Sequence, residues 1–216
     1  SVIDFDKDRS DRSTYKLLGG SIGFYGSTLN TRQYATKGYL EKLIAQVFTG
    51  RERFEPGNPQ EGYSPSPQER QSWLQISYMK EAYHTMGPKF TLGWMAEALY
   101  SSKNFSENYT ATMMQAGEFA PTPHSKLMYN EAFRANQYVA AGIKPIYVLN
   151  DMFQFRTEFY GFTPIFPIKK NALNKAYYGK AFSRFEYMGE VSVICHLPFG
   201  AISAYVNHYS SPRREW

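Results

Sequence analysis

Phe153-Gln154-Phe155-Arg156-Thr157-Glu158-Phe159-Tyr160 alternates between aromatic and polar positions. Successive side chains of a strand point to opposite faces, so Phe153, Phe155 and Phe159 share one face. Gln154, Arg156, Glu158 and Tyr160 share the other. In a soluble sandwich the polar face of such a strand is simply the outer surface. In a membrane β-barrel the order is inverted, with the apolar face against lipid and the charged face toward the lumen. Which face lies outside therefore decides the function.

The same alternation recurs along the chain and predicts eight strands, with no helix beyond short turns. Residues Tyr15 to Tyr25 set Leu18, Ile22 and Phe24 on one face among interleaved glycines. Tyr39 to Thr49 sets Leu43, Ala45 and Val47 against Lys42 and Gln46, and Trp73 to Tyr83 sets Leu74, Ile76 and Tyr78 against Gln75, Ser77, Met79 and Glu81. Phe90 to Leu99 opposes Phe90, Leu92, Trp94, Ala96 and Ala98 to Thr91, Gly93 and Glu97. Phe133 to Val148 contains Gly142 and Pro145 and is expected to be bent or bulged. The Phe153 segment follows the tight turn Leu149-Asn150-Asp151. Phe182 to Leu197 carries Arg184, Glu186, Glu190, Ser192 and His196 opposite Phe185, Tyr187, Val191, Val193 and Cys195. After Pro198-Phe199-Gly200, Ile202, Ala204 and Val206 oppose Ser203, Tyr205 and Asn207.

The connections alternate in length after the second strand. Long ones run from Gly50 to Ser72, Ser101 to Ala132 and Thr163 to Ala181; short ones follow strands three, five and seven. Antiparallel strands with short turns at one end and long loops at the other are the pattern of outer-membrane barrels. The fold class expected is an all-β, antiparallel transmembrane β-barrel. Residues 1–13 are expected to be a charged tail or loop, and 14–216 the barrel region, ending as a further strand would begin after Arg213-Arg214-Glu215-Trp216.

Composition agrees with strands and excludes several alternatives. Aromatic residues make up 17% of the 216 residues, with 18 Tyr and 16 Phe against 3 Trp, which suits strands with interfacial girdles. Mean hydropathy is −0.50, and no apolar run approaches the ~18 residues of a transmembrane helix. Alternating strands need no such run. The net charge of +5 comes from scattered basic residues without a recognition module, so nucleic acid is not an expected partner. Cys195 is the only cysteine, and reads as a small hydrophobe.

Chemistry is scarce. Gly19-Gly20-Ser21-Ile22-Gly23 matches the Gly-x-Ser-x-Gly pattern of a nucleophile elbow, but that motif needs a helix after it and Phe24-Tyr25-Gly26-Ser27 continues the strand. The five Asp lie in the N-terminal segment and one turn. His84, His124, His196 and His208 show no metal-ligand spacing. No catalytic residue, metal site or cofactor is expected. What stands out is the charge on the polar faces: Glu81, Glu97, Arg156, Glu158, Arg184, Glu186 and Glu190. In a barrel these face the lumen, and Arg156 and Glu158 are expected to pair across the wall with Arg184 and Glu186 as an ion-pair ladder.

Several longer motifs carry a resemblance. Ser27-Thr28-Leu29-Asn30-Thr31-Arg32-Gln33-Tyr34-Ala35-Thr36, Asn108-Tyr109-Thr110-Ala111, Asn130-Glu131-Ala132-Phe133, Asn136-Gln137-Tyr138, Glu158-Phe159-Tyr160-Gly161-Phe162, Glu186-Tyr187-Met188-Gly189-Glu190 and Leu197-Pro198-Phe199-Gly200-Ala201 resemble the C-terminal half of Bacteroidetes patatin-like phospholipases. The resemblance implies an upstream patatin-type lipid acyl hydrolase domain, a linker domain and a barrel of about sixteen strands in the bacterial outer membrane. This chain would supply about eight of those strands and no catalytic dyad. Its expected partners are outer-membrane lipid, the upstream domains and a possible second copy of itself. Alternative readings are a self-contained barrel or a soluble all-β module that binds or passes a small ligand.

Overall fold

The computed structural model describes residues 11–57 and 70–211. The sequence-based expectations for 1–10 and for Arg213-Arg214-Glu215-Trp216 lie outside the described residues. In chain order the elements are β1 (Arg12–Ser27), β2 (Gly38–Glu55), β3 (Arg70–Thr85), β4 (Phe90–Ser101), α1 (Tyr109–Gln115), β5 (Gly117–Glu118), β6 (Arg134–Ala135), β7 (Gln137–Val148), β8 (Phe153–Pro164), β9 (Ile168–Lys170), β10 (Ala176–Tyr178), β11 (Glu186–Leu197) and β12 (Gly200–Tyr209). The eight long strands form one antiparallel sheet in the order β1-β2-β3-β4-β7-β8-β11-β12, a meander in which every strand pairs with its sequence neighbours. Two short pairs, β5 with β6 and β9 with β10, belong to the long connections. Among the described residues β1 and β12 do not pair, so the sheet is open at both edges.

The sheet is curled into a trough. Tyr34, four residues before β2, donates its hydroxyl to Ser203 of β12 at 2.7 Å. In a flat sheet the six strand spacings from β2 to β12 would span about 29 Å. Four residues of chain reach about 14 Å, and a tyrosine ring does not make up the difference. Curvature brings the two together.

Short turns close the three hairpins at one end of the trough, and the connections 102–136 and 165–185 emerge at the other. Both ends send chain into the concave side. Residues 28–37 fold inward at the short-turn end, where Ala35, Tyr83 and Ile146 pack together with Leu29 and Val148. At the far end Phe119 enters from the connection after β4. It stacks on Phe162 with ring centroids 5.9 Å apart and meets Tyr138 and Tyr160 edge-on, within a core that includes Met95, Leu99 and Phe133. Such aromatic arrangements add to plain area burial.

Asparagines hold these connections. Asn108 caps α1 by accepting from the Ala111 amide at 2.7 Å, and Asn130 accepts from the Ala132 amide at 3.0 Å. Asn30 accepts from the amides of Thr36 and Lys37. These are cap and turn roles for which a short side-chain carbonyl is suited.

Several boundaries differ from the sequence reading: β2 runs on to Glu55 where an end at Thr49 is expected, β3 starts at Arg70 in place of Trp73, and β8 runs on to Pro164. The strand expected from Phe133 starts at Gln137, because Glu131–Phe133 form a 3-10 turn instead. The strand expected from Phe182 starts at Glu186, because Phe182 takes a left-handed φ of 50° and no strand continues through that conformation. The connection after β4 contains α1, a seven-residue helix that the alternation did not announce.

Candidate functional site

β8 has the burial pattern of an inverted strand. Phe153, Phe155, Thr157 and Phe159 are exposed while Gln154, Arg156, Glu158 and Tyr160 are buried. The register carries this parity around the sheet: Ser192 and Glu190 of β11 lie opposite Arg156 and Glu158, and Ile146 of β7 lies on the other side of Arg156. The concave face is therefore the polar one along its central strands, and a belt of charge lies between the two apolar plugs.

The belt is built from few side chains. Arg156, 3% exposed, donates through Nε to Glu158 Oε1 at 3.0 Å. Its Nη1 donates to the Ala35 carbonyl at 2.9 Å and its Nη2 to the Tyr83 hydroxyl oxygen at 3.3 Å. Glu158 also accepts from the Tyr160 hydroxyl. Lys144 Nζ lies 3.1 Å from Glu81 Oε1, and Glu81 accepts from the Tyr83 hydroxyl as well. Lys144 and Glu81 stand on β7 and β3, with β4 between them. Gly93 makes the crossing possible: a Cβ there would lie 2.7 Å from the Tyr83 ring and 3.1 Å from Lys144 Cβ. Gly142 does the same beneath Tyr160, whose Cδ1 lies 2.2 Å from where a Cβ would stand. Glycine on the crowded inner face lets aromatic rings lie against the wall.

The seven charges singled out from sequence separate into groups. Glu81, Arg156, Glu158 and Glu190 join the belt. Glu97 sits on the same face and accepts from the Tyr138 hydroxyl at 2.5 Å. Arg184 and Glu186 pair with one another at 2.8 Å near the long-connection end, where Ser210 also donates to Glu186 at 2.5 Å. The expected ladder between the Arg156–Glu158 and Arg184–Glu186 pairs is corrected by the register. Glu158 faces Glu190 across the wall, and each arginine pairs with the glutamate two residues along its own chain. The strand offset places Arg184 before β11 begins, out of reach of β8's midpoint.

Sequence reasoning placed Gln154 and Tyr160 on the polar face without singling them out, and missed Lys144 and Tyr83. Gln154 Nε2 donates to the Tyr34 carbonyl at 3.2 Å and lies 3.0 Å from His196 Nε2. Lys144 stands two residues after Gly142 on the parity of Tyr138 and Ala140, so period two alone could have found it. The carbonyls of Tyr34 and Ala35 left no signal in composition. Gln154 Oε1, Glu190 Oε2 and Ser192 Oγ are buried without a protein partner; all three lie on neighbouring strands of this inner wall. Chemically the belt offers acceptors and fixed charges. Ser21 lies within the unbroken strand β1, without the turn and helix of a nucleophile elbow.

One group at the mouth of the trough is titratable in an accessible range. Lys103, just past β4, holds its ammonium 4.9 Å from the Trp73 ring centroid and 5.7 Å from that of Tyr15. Burial pushes its pKa down to about 8, with Glu52 opposing in part. An ordinary lysine titrates near about 10.4. Between those values the unfolded chain binds a proton that the folded chain does not. Folding stability is therefore expected to rise as pH climbs from about 8 to about 10.4 and to be flat in this term below about 8. Denaturant midpoints across that window check it, and Lys103→Met should flatten the slope. A slope unchanged in that variant removes Lys103 as its source.

No family model, curated protein or solved structure matches the chain. Function therefore rests on the geometry.

Proposed function

We propose that this chain is a wall segment of an outer-membrane β-barrel, serving as a membrane anchor and carrying no catalysis of its own. The observation that carries the reading is the inversion on β8, with charged and amide side chains sealed inside and phenylalanines left outside. A soluble sheet has no reason to expose Phe155, Phe159, Val191, Ile143 and Ile202 on one convex surface. A bilayer supplies the missing apolar environment.

The dimensions support this. From Phe90 to Tyr100 on β4 the outward face runs ten residue steps, about 34 Å of strand, or about 24–28 Å along the normal at barrel-like tilts. The apolar band of a membrane barrel is about 25 Å tall. Exposed rings mark both borders: Tyr39, Phe90, Tyr147 and Phe153 toward the short turns, Tyr100 and Phe185 toward the long connections. Among the described residues no helix is long and apolar enough to cross a membrane, and strands would do the crossing.

The filled interior favours an anchor over a conduit. Phe119 and residues 28–37 occupy the trough from its two ends, and Arg156, Glu158 and Glu190 between them are buried. The open edges at β1 and β12 suit continuation into a larger barrel of about sixteen strands. An upstream patatin-like lipid acyl hydrolase domain, as the sequence motifs imply, would be the anchored cargo.

Flotation tests the membrane part. The full chain is expected to require detergent or lipid for folding, to float with phospholipid vesicles, and to migrate faster on gels before heating than after. A folded, monodisperse chain in detergent-free buffer would overturn the proposal.

A further inference from the structure

At the long-connection end of the convex face, three cations stand side by side. Lys16 of β1 lies directly opposite Arg51 of β2, and Arg51 directly opposite Arg70 of β3. All three are exposed and share the parity of the outward residues Leu18, Val47 and Leu74. Directly opposed residues have Cβ atoms about 4.5–5.5 Å apart, and like charges so placed repel. Among the described residues no carboxylate forms an ion pair with any of them, whereas Arg53, one row farther from the band, is neutralised by Glu55 at 2.8 Å. A row of three cations without a carboxylate partner among the described residues calls for an anion.

The rows beside it say which kind. Next toward the apolar band come Leu18, Thr49 and Ser72, in register across the same three strands. Thr49 Oγ1 and Ser72 Oγ are 2.8 Å apart, and Arg70 Nε donates to Thr49 Oγ1 at 3.0 Å. Beyond them lie Gly20, Val47 and Leu74, then Ile22, Ala45 and Ile76. Gly20 leaves its position open, with nothing within 4 Å of where a Cβ would stand. A cleft of about 690 Å³ is lined by Lys16, Leu17, Leu18, Thr49, Arg51 and Arg70, among others. Read outward, the surface passes from apolar to hydroxyl to cationic. A phospholipid at a bilayer edge presents the same sequence of chemistries, from acyl chain through ester to phosphate.

We propose that Lys16, Arg51 and Arg70 form a binding site for the phosphate of an anionic membrane lipid, whose acyl chain lies along Leu18, Val47 and Leu74. This rests on the membrane reading, since only a bilayer sets lipid against that face. A free inorganic anion would find the same charges but gain nothing from the apolar rows.

The test reconstitutes the full chain in phosphatidylcholine vesicles doped with phosphatidylglycerol and counts retained lipids by native mass spectrometry after extraction. The wild type is expected to enrich phosphatidylglycerol over phosphatidylcholine. The K16Q/R51Q/R70Q variant is expected to lose at least roughly tenfold of that preference, the scale set by three basic residues at a membrane surface. K37Q/K89Q, exposed at the short-turn end, should keep it. Preference in the wild type should also fall as salt is raised from about 0.05 to about 0.5 M, a readout that needs no variant to fold. Equal enrichment in wild type and triple variant, or a preference indifferent to salt, overturns the site. Displacement of the lipid by millimolar inorganic phosphate overturns the lipid assignment in favour of a soluble anion. Flotation of the same samples separates the two failures: a chain that never floats sinks the membrane reading as well, while one that floats without the preference sinks only this site.

Discussion

Arg156→Leu is expected to cost about 3–5 kcal/mol, the range for removing one partner of a buried ion pair. The substitution strips Glu158 of its guanidinium partner while Glu158 still faces Glu190 across the wall. Two carboxylates would then share a site where both are buried, at 7% and 3% exposure. The change also frees the Ala35 carbonyl from its 2.9 Å bond and the Tyr83 hydroxyl from its 3.3 Å one. For a domain with about 5–15 kcal/mol of total stability, that is a large fraction. Two measurements check it. The denaturant midpoint in detergent should fall, and trypsin should cut faster after Arg32 and Lys37 as residues 28–37 lose their hold on β8. The double variant Arg156→Leu with Glu158→Leu should recover much of the loss, because no uncompensated charge stays behind. If the single variant unfolds at the wild-type midpoint, the belt is not what holds the inward loop.

Val191→Arg is expected to cost about 2–4 kcal/mol in a bilayer, the depth-dependent penalty for a basic residue on the lipid face near the midplane. Val191 stands at the centre of β11, points outward between Thr157 of β8 and Val206 of β12, and is 59% exposed. In water an exposed strand position tolerates such a change within about 0.5 kcal/mol. The two environments thus predict effects several-fold apart at one residue. Refolding equilibria in phospholipid vesicles, with Val191→Leu as the size control, read the difference directly. A near-neutral arginine in vesicles would mean that this face does not meet lipid.

The strand order of the main sheet was readable without any tertiary information. Gly87-Pro88, Asn150-Asp151 and Pro198-Phe199 sit between alternating segments, and the hairpins form at each of them. So was the parity of β8, because neighbouring side chains on a strand must diverge. The candidate site was legible only in its members. That Glu81, Arg156, Glu158 and Glu190 share a face follows from period two and antiparallel register. That Glu81 pairs with Lys144 over Gly93 follows from neither, since the pairing crosses an intervening strand. The same holds for Gln154 and Arg156, which grip the carbonyls of Tyr34 and Ala35. Backbone carbonyls have no identity in a sequence, and Ala35 lies 121 positions from Arg156.

By itself the sequence determined that this protein has two-faced strands with rings on one side and charges on the other, because alternation is a property of adjacent residues. Only the tertiary structure decided that the charges face inward, that Glu158 stands opposite Glu190 in place of the expected partner Arg184, and that chain from both ends fills the trough. Those outcomes depend on which way an eight-stranded sheet curls and on where glycines let side chains cross it. Curvature is a collective result of all the strands, and no local pattern of residues records it.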